Sequence, residues 1–122
     1  MKYICLAYEE ESKLVSLSKS EWDVLRAETL NYVEELRRNG HLIAAEPLKS
    51  VRSATTVRVR GGKVSMTDGP FAETKEQLGG FFMIQARDLN EAIRLATGWP
   101  SARIGSIEVR PIEDGLREEG RY

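Results

Sequence analysis

Between Asp68 and Glu76 the chain gathers three carboxylates and a lysine: Asp68, Glu73, Lys75 and Glu76. A carboxylate at a strand end, partly shielded by Pro70 and Phe71, could have a raised pKa and serve as a general acid or base. That makes Asp68 the candidate catalytic residue. Glu73 and Lys75 are candidates to bind a polar ligand and set its protonation, and Phe71 offers an apolar wall beside them. Glu46, at the end of another predicted strand, could project toward the same region. Each has a plainer reading. Asp-Gly is a turn dipeptide whose carboxylate accepts nearby backbone N–H groups, which explains Asp68, Gly69 and Pro70 together. Glu73, Lys75 and Glu76 fit a solvated loop with surface ion pairs worth about 0–1 kcal/mol, and Glu46 fits a strand-end charge before Pro47.

Other chemistry is thin. One histidine, His41, and one cysteine, Cys5, rule out an ordinary His/Cys metal cage; a carboxylate-bound Mg²⁺ or Ca²⁺ stays open, but no stretch resembles a calcium loop, and no metal or cofactor is assigned. Gly61-Gly62 and Gly79-Gly80 lack the spacing of a phosphate loop. Arg58, Arg60 and Arg103 could bind a carboxylate or phosphate, but scattered arginines are usually solvated. Of the aromatics, Trp22, Tyr32, Phe81 and Phe82 read as core by their spacing, whereas Phe71 and Trp99 lie in loops beside a proline.

The elements that must hold these residues follow from periodicity. Tyr3–Tyr8 reads as a buried strand, and 9–17 as a polar connection. Ser18-Lys19-Ser20-Glu21 fits a capping box, opening a helix to about Asn39 whose apolar stripe is Trp22, Leu25, Thr29, Tyr32, Val33 and Leu36. Gly40 closes it. Leu42–Ala45 is a strand, 49–53 a connection. Thr55–Arg60 and Lys63–Thr67 form a hairpin about Gly61-Gly62. Gly80–Ala86 is a central strand, Leu89–Thr97 a helix with Leu89, Ala92, Ile93 and Ala96 inward, and Ile104–Pro111 the last strand. The order predicts an α+β fold of the split βαβ, ferredoxin-like kind: an antiparallel four-stranded sheet with both helices on one face, plus an extra hairpin strand. Residues 1–112 form the domain and 113–122 a charged tail. A sheet with one face uncovered gives a physical motive for a homodimer.

The 122 residues suit one domain, with 41% hydrophobic and 30% charged residues. The net charge of -1, from 18 basic against 19 acidic residues, argues against a general nucleic-acid binder. No apolar run is long enough to cross a bilayer, and the N-terminus resembles a strand rather than a signal peptide. A lone cysteine fits a reducing compartment, so the protein is expected to be cytoplasmic.

The stretch Asp68-Gly69-Pro70-Phe71-Ala72-Glu73-Thr74-Lys75-Glu76-Gln77-Leu78-Gly79-Gly80-Phe81-Phe82 resembles the signature of the DGPF-domain proteins, within the broader YCII-related family. Met1-Lys2-Tyr3, Thr55-Thr56-Val57-Arg58 and Gly105-Ser106-Ile107-Glu108-Val109-Arg110-Pro111-Ile112 extend the likeness to about residue 112. The resemblance implies a ferredoxin-like fold whose sheets pair across a homodimer into an α/β barrel, and it fixes no reaction. Some relatives are proposed to be enzymes with a His-Asp pair. Here the aligned helix carries Glu28 and Thr29 and His41 lies beyond it, so only Asp68 carries over. Some DGPF proteins are encoded beside, or fused to, extracytoplasmic-function sigma factors.

Two functions follow as expectations. One is a small-molecule-binding protein or enzyme with an acid/base site centred on Asp68, and Glu73, Lys75, Phe71 and Glu46 about the ligand. The other is a non-catalytic regulatory or interaction module linked to a sigma factor.

Overall fold

Strand-forming runs at 2–9 and 77–85 alternate side chains between two faces, and only one of those faces is closed by helices. The computed structural model describes residues 1–113. Its elements are β1 (Lys2–Glu9), α1 (Glu11–Val15), α2 (Lys19–Arg38), β2 (Leu42–Pro47), β3 (Thr55–Arg60), β4 (Lys63–Asp68), β5 (Gln77–Gln85), α3 (Leu89–Thr97) and β6 (Ser106–Pro111), with short 3₁₀ turns at Val51–Ser53 and Pro100–Arg103. The main sheet has the order β2-β5-β1-β6, with every pairing antiparallel. That is the ferredoxin-like arrangement expected from the element order.

The register defines the core. Tyr3, Cys5 and Ala7 of β1 lie opposite Ile84, Phe82 and Gly80 of β5. These residues are buried, together with Leu36 of α2, Ala92, Leu95 and Ala96 of α3, and Trp99. Trp99 stacks on Phe82 with ring centroids 4.0 Å apart and planes 10° apart, and Tyr32 meets Trp99 edge-on at 6.3 Å. Burial pushes the Cys5 thiol up to about 12, so it behaves as a small apolar side chain.

The helix ends carry the expected chemistry. The Glu21 N–H donates to Ser18 Oγ (3.1 Å) and the Ser18 N–H to Glu21 Oε1 (3.0 Å), a complete capping box. Asp88 caps α3 by accepting from the Glu91 N–H at 2.9 Å.

Several expectations need correction. Residues 11–15 form α1 where a polar connection was expected; the Lys13 and Leu14 N–H groups close onto the Glu10 carbonyl. Leu89 and Ile93 face outward, because Ala92, Leu95 and Ala96 continue in helical spacing to Trp99, the larger anchor. The hairpin β3–β4 does not add a strand to the main sheet. It forms a two-stranded sheet of its own, and Val57, Val59, Val64 and Met66, paired across it, are exposed. Of the expected tail at 113–122, residues 114–122 lie outside the described residues.

Candidate active site

Alternation along β1 puts Tyr3, Cys5, Ala7 and then Glu9 on the helix-covered face. The pairing with β5 slips at that point. Ala7 is opposite Gly80 but Tyr8 is opposite Leu78, which leaves Gly79 as a bulge. The bulge has two consequences. The Gly79 carbonyl accepts from the Leu48 N–H at 2.8 Å, fastening the chain after β2. The missing side chain of Gly79 leaves room for Glu9, since a Cβ there would collide with Glu9 Oε2.

Glu9 lies on the wall of a cavity of about 580 Å³ between α2 and the sheet, within the range of small-molecule sites. Helix α2 forms one side through Trp22, Leu25, Thr29 and Val33. Leu14 and Val15 of α1 close another, and residues 45–48 and 79–81 form the floor. Trp99 and Ser101 complete the inner wall. The lining is mostly apolar, and several of its polar groups are already engaged. Thr29 Oγ1 donates to the Leu25 carbonyl (2.8 Å). Glu11 accepts from Ser50 Oγ (2.9 Å) and from the Val51 N–H (2.8 Å), pinning α1 to the turn after β2.

Two polar atoms are not engaged. Glu9 Oε2 and Ser101 Oγ are buried and, among the described residues, have no hydrogen-bond partner. Burial is the main cause that raises the Glu9 pKa; the nearby Ser101 hydroxyl pulls it back, and the charges of Glu76 and Glu11 add to the rise. The two groups are thus close enough to interact without meeting hydrogen-bond geometry. A carboxyl held this way in an apolar cavity can donate or accept a proton nearer neutral pH than an ordinary glutamate.

The residues expected from the sequence sit differently. Asp68 ends β4 and is exposed. The neighbouring hydrogen bonds are made by Gly69: its N–H donates to the Ala54 carbonyl (2.7 Å) and its carbonyl accepts from Thr56 Oγ1 (2.9 Å). The expected shielding by Pro70 and Phe71 does not occur in the single chain, because the hairpin leaves the sheet and carries Phe71 out with 82% of its surface exposed. Glu73 is exposed, and Lys75 Nζ lies 3.8 Å from Glu10 Oε1, beside a more open hollow of about 480 Å³ between Tyr8, Glu76 and β6. Asp68, Phe71, Glu73 and Lys75 are therefore not brought together with the cavity. Glu46 borders it, but pairs opposite Phe81, so its side chain belongs to the other face of the sheet. His41 Nδ1 is 2.9 Å from the Gln85 carbonyl at the far end of β5. Among the described residues no group of three His, Cys, Asp or Glu side chains could hold a metal ion, and no helix is long and apolar enough to cross a membrane.

Sequence reasoning passed over Glu9 and Ser101. A signal for Glu9 was available: its odd-numbered place continues the buried series Tyr3, Cys5, Ala7, and a glutamate in such a series is a buried acid. Ser101 gave none, since its burial depends on how the turn after Trp99 folds back.

The chain is similar to proteins already known. An uncharacterized protein of Rhizobium meliloti is 36% identical over 114 residues, covering 92% of each chain. Among solved structures, the fold is similar to 5-chloro-2-hydroxyhydroquinone dehydrochlorinase from Burkholderia phenoliruptrix AC1100, in complex with 2,5-dihydroxybenzoquinone. The TM-score is 0.56 and the identity 15%, over 94% of this chain and 96% of that one. The YCII-related domain matches residues 1–115, nearly the whole chain. With the ferredoxin-like sheet and the signature leading into β5, this chain belongs to the YCII-related domain family.

Proposed function

We propose that this protein binds a small organic molecule in the cavity between α2 and the sheet and acts on it by proton transfer, with Glu9 as the acid/base group. The observation that carries the proposal is the buried, unpartnered Glu9 carboxylate oxygen on the wall of a mostly apolar cavity. A buried carboxylate oxygen without a partner costs stability, so its retention points to a use other than stability. The bulge at Gly79 supports the reading too, since it makes room for that carboxylate. The neighbouring fold belongs to an enzyme whose name states action on a small chlorinated hydroxyhydroquinone; a proton-transfer enzyme with a small substrate agrees with it. Asp68, exposed on the hairpin, is given no catalytic part.

The same proposal includes a homodimer. Ile4 and Leu6 lie opposite Met83 and Phe81 on the face that no helix covers, and all four are only partly buried in the single chain. Two such faces packed together would make the α/β barrel.

The test is a thermal-shift screen of small organic molecules against the wild type and Glu9→Gln, across pH. Expected hits bind or turn over in the wild type with a pH dependence set by one group above the ordinary glutamate range, and lose that dependence in Glu9→Gln. Hits with the same pH profile in both proteins would overturn the role of Glu9. A protein that binds nothing in the screen but captures a sigma factor would shift the assignment to a regulatory module.

A further inference from the structure

Two cations stand at the mouth of the cavity. Arg26 of α2 and Arg52 of the 3₁₀ turn both border it, both are exposed, and among the described residues neither guanidinium has an ion pair or a hydrogen bond to a side chain. Two other arginines nearby have carboxylate partners: Arg37 is 3.2 Å from Glu34, and Arg103 is 2.8 Å from Glu28. The carboxylates that could have claimed Arg26 and Arg52 are turned elsewhere. Glu11 is held by Ser50 and the Val51 N–H, and the register sends the Glu46 side chain to the opposite face of the sheet. Two unclaimed guanidinium groups beside an apolar hollow suit a carboxylate or phosphate, which they can bind with paired N–H donors.

At the inner end the chemistry differs. There the polar groups are Glu9 and Ser101, both with a buried atom lacking a partner, and they suit a neutral group that can both give and take a hydrogen bond, namely a hydroxyl. Between the two ends the walls are Trp22, Leu25, Val33 and Trp99, of which the indoles favour a flat ring. We infer that the ligand is a small ring-bearing organic acid with a hydroxyl: its anionic group meets Arg26 and Arg52 at the mouth, and its hydroxyl meets Glu9 and Ser101 inside. This rests on the cavity being the binding site, and it names the class of molecule that site takes.

The probes are 4-hydroxybenzoate and 3-(4-hydroxyphenyl)propionate, which share the ring hydroxyl and differ in reach, compared with 4-methylphenol, which lacks the acid. Affinities are measured by calorimetry with the wild type, Arg26→Ala/Arg52→Ala, Ser101→Ala and Leu25→Trp, the last filling the cavity. At least one acid is expected to bind roughly tenfold more tightly than 4-methylphenol. The double arginine variant should abolish that advantage while leaving 4-methylphenol unchanged. Ser101→Ala should weaken all probes, and Leu25→Trp should exclude them. If 4-methylphenol binds as well as the acids and the arginine variant changes nothing, the anionic class is overturned while the cavity reading stands. If no probe binds, or if Leu25→Trp binds them as well as the wild type, the inference and the cavity reading fall together.

Discussion

At the two ends of β5 the protein keeps a shielded glutamate, and it treats the pair oppositely. Glu91, at the far end, is surrounded by donors. Its Oε1 accepts from the Arg87 N–H at 3.0 Å, and its Oε2 lies 3.0 Å from Arg87 and 3.7 Å from Arg94. The Arg87 N–H hydrogen bond is the main cause that holds its pKa down, with the charges of Arg87, His41 and Arg94 assisting against the cost of desolvation. Glu9, at the near end, has its buried oxygen without a partner and its pKa raised. Both are partly withdrawn from solvent. The difference lies in what meets the carboxylate: a cap and two arginines in one case, a cavity in the other. A satisfied buried acid is part of the fold's stability, whereas an unsatisfied one beside a hollow is a group in reserve for a ligand.

The comparison breaks most severely if the packing both ends share is removed. Phe82→Ala deletes the ring that stacks on Trp99 in mid-strand and is expected to cost about 3–5 kcal/mol. Urea unfolding would measure it; a loss under about 1 kcal/mol would mean that the stack carries little of the core. The sharpest contrast comes next, from two isosteric changes. Glu91→Gln should lower the melting temperature at neutral pH by several degrees. Its pKa is depressed in the folded state, so its contribution is present above the ordinary value of 4.5 and is lost as pH falls through the lower folded value. The two melting curves should therefore converge in acid.

Glu9→Gln should do the reverse. Its pKa is raised, so folding favours the protonated form, and that benefit is full below 4.5 and disappears as pH rises through the folded value. The variant, which cannot ionise, should melt a few degrees above the wild type at neutral pH and equal it in acid. A drop at neutral pH would show Glu9 to be a structural group like Glu91. Asp68→Ala, on the exposed hairpin, is the smallest change, expected within about 0.5 kcal/mol by the same melts. A loss above about 1 kcal/mol would show that Asp68 caps the turn.

Much of the fold was legible because local signals agreed with the tertiary result. Ser18 and Glu21 marked the start of α2, Asp88 the start of α3, and the alternation in Thr55–Arg60 marked β3. Where local pattern falls short, the reason is shared. The stripe Trp22, Leu25, Thr29, Tyr32, Val33, Leu36 reads as one continuous core face, yet only Tyr32, Val33 and Leu36 pack with the core, while Trp22, Leu25, Thr29 and one side of Val33 border the cavity. Periodicity reports which side of a helix turns inward, and says nothing about whether the space there is filled. Asp68 attracted attention because Asp-Gly-Pro-Phe combines an acid with turn residues. Where that turn sits was decided by the hairpin's departure from the sheet, which depends on long-range pairing. Gly79 stood in the signature all along, but its purpose depends on Glu9, distant in sequence and adjacent only across the β1–β5 register.

The most direct measurement is an NMR titration of the glutamate side-chain carboxyls in the intact protein, with Glu9→Gln and Glu91→Gln used to assign the two signals. Glu9 should titrate above 4.5 and Glu91 below it, and addition of a bound ligand should move the Glu9 midpoint while leaving that of Glu91 in place. A Glu9 carboxyl that titrates at or below 4.5 would contradict its role as the acid/base group of the cavity.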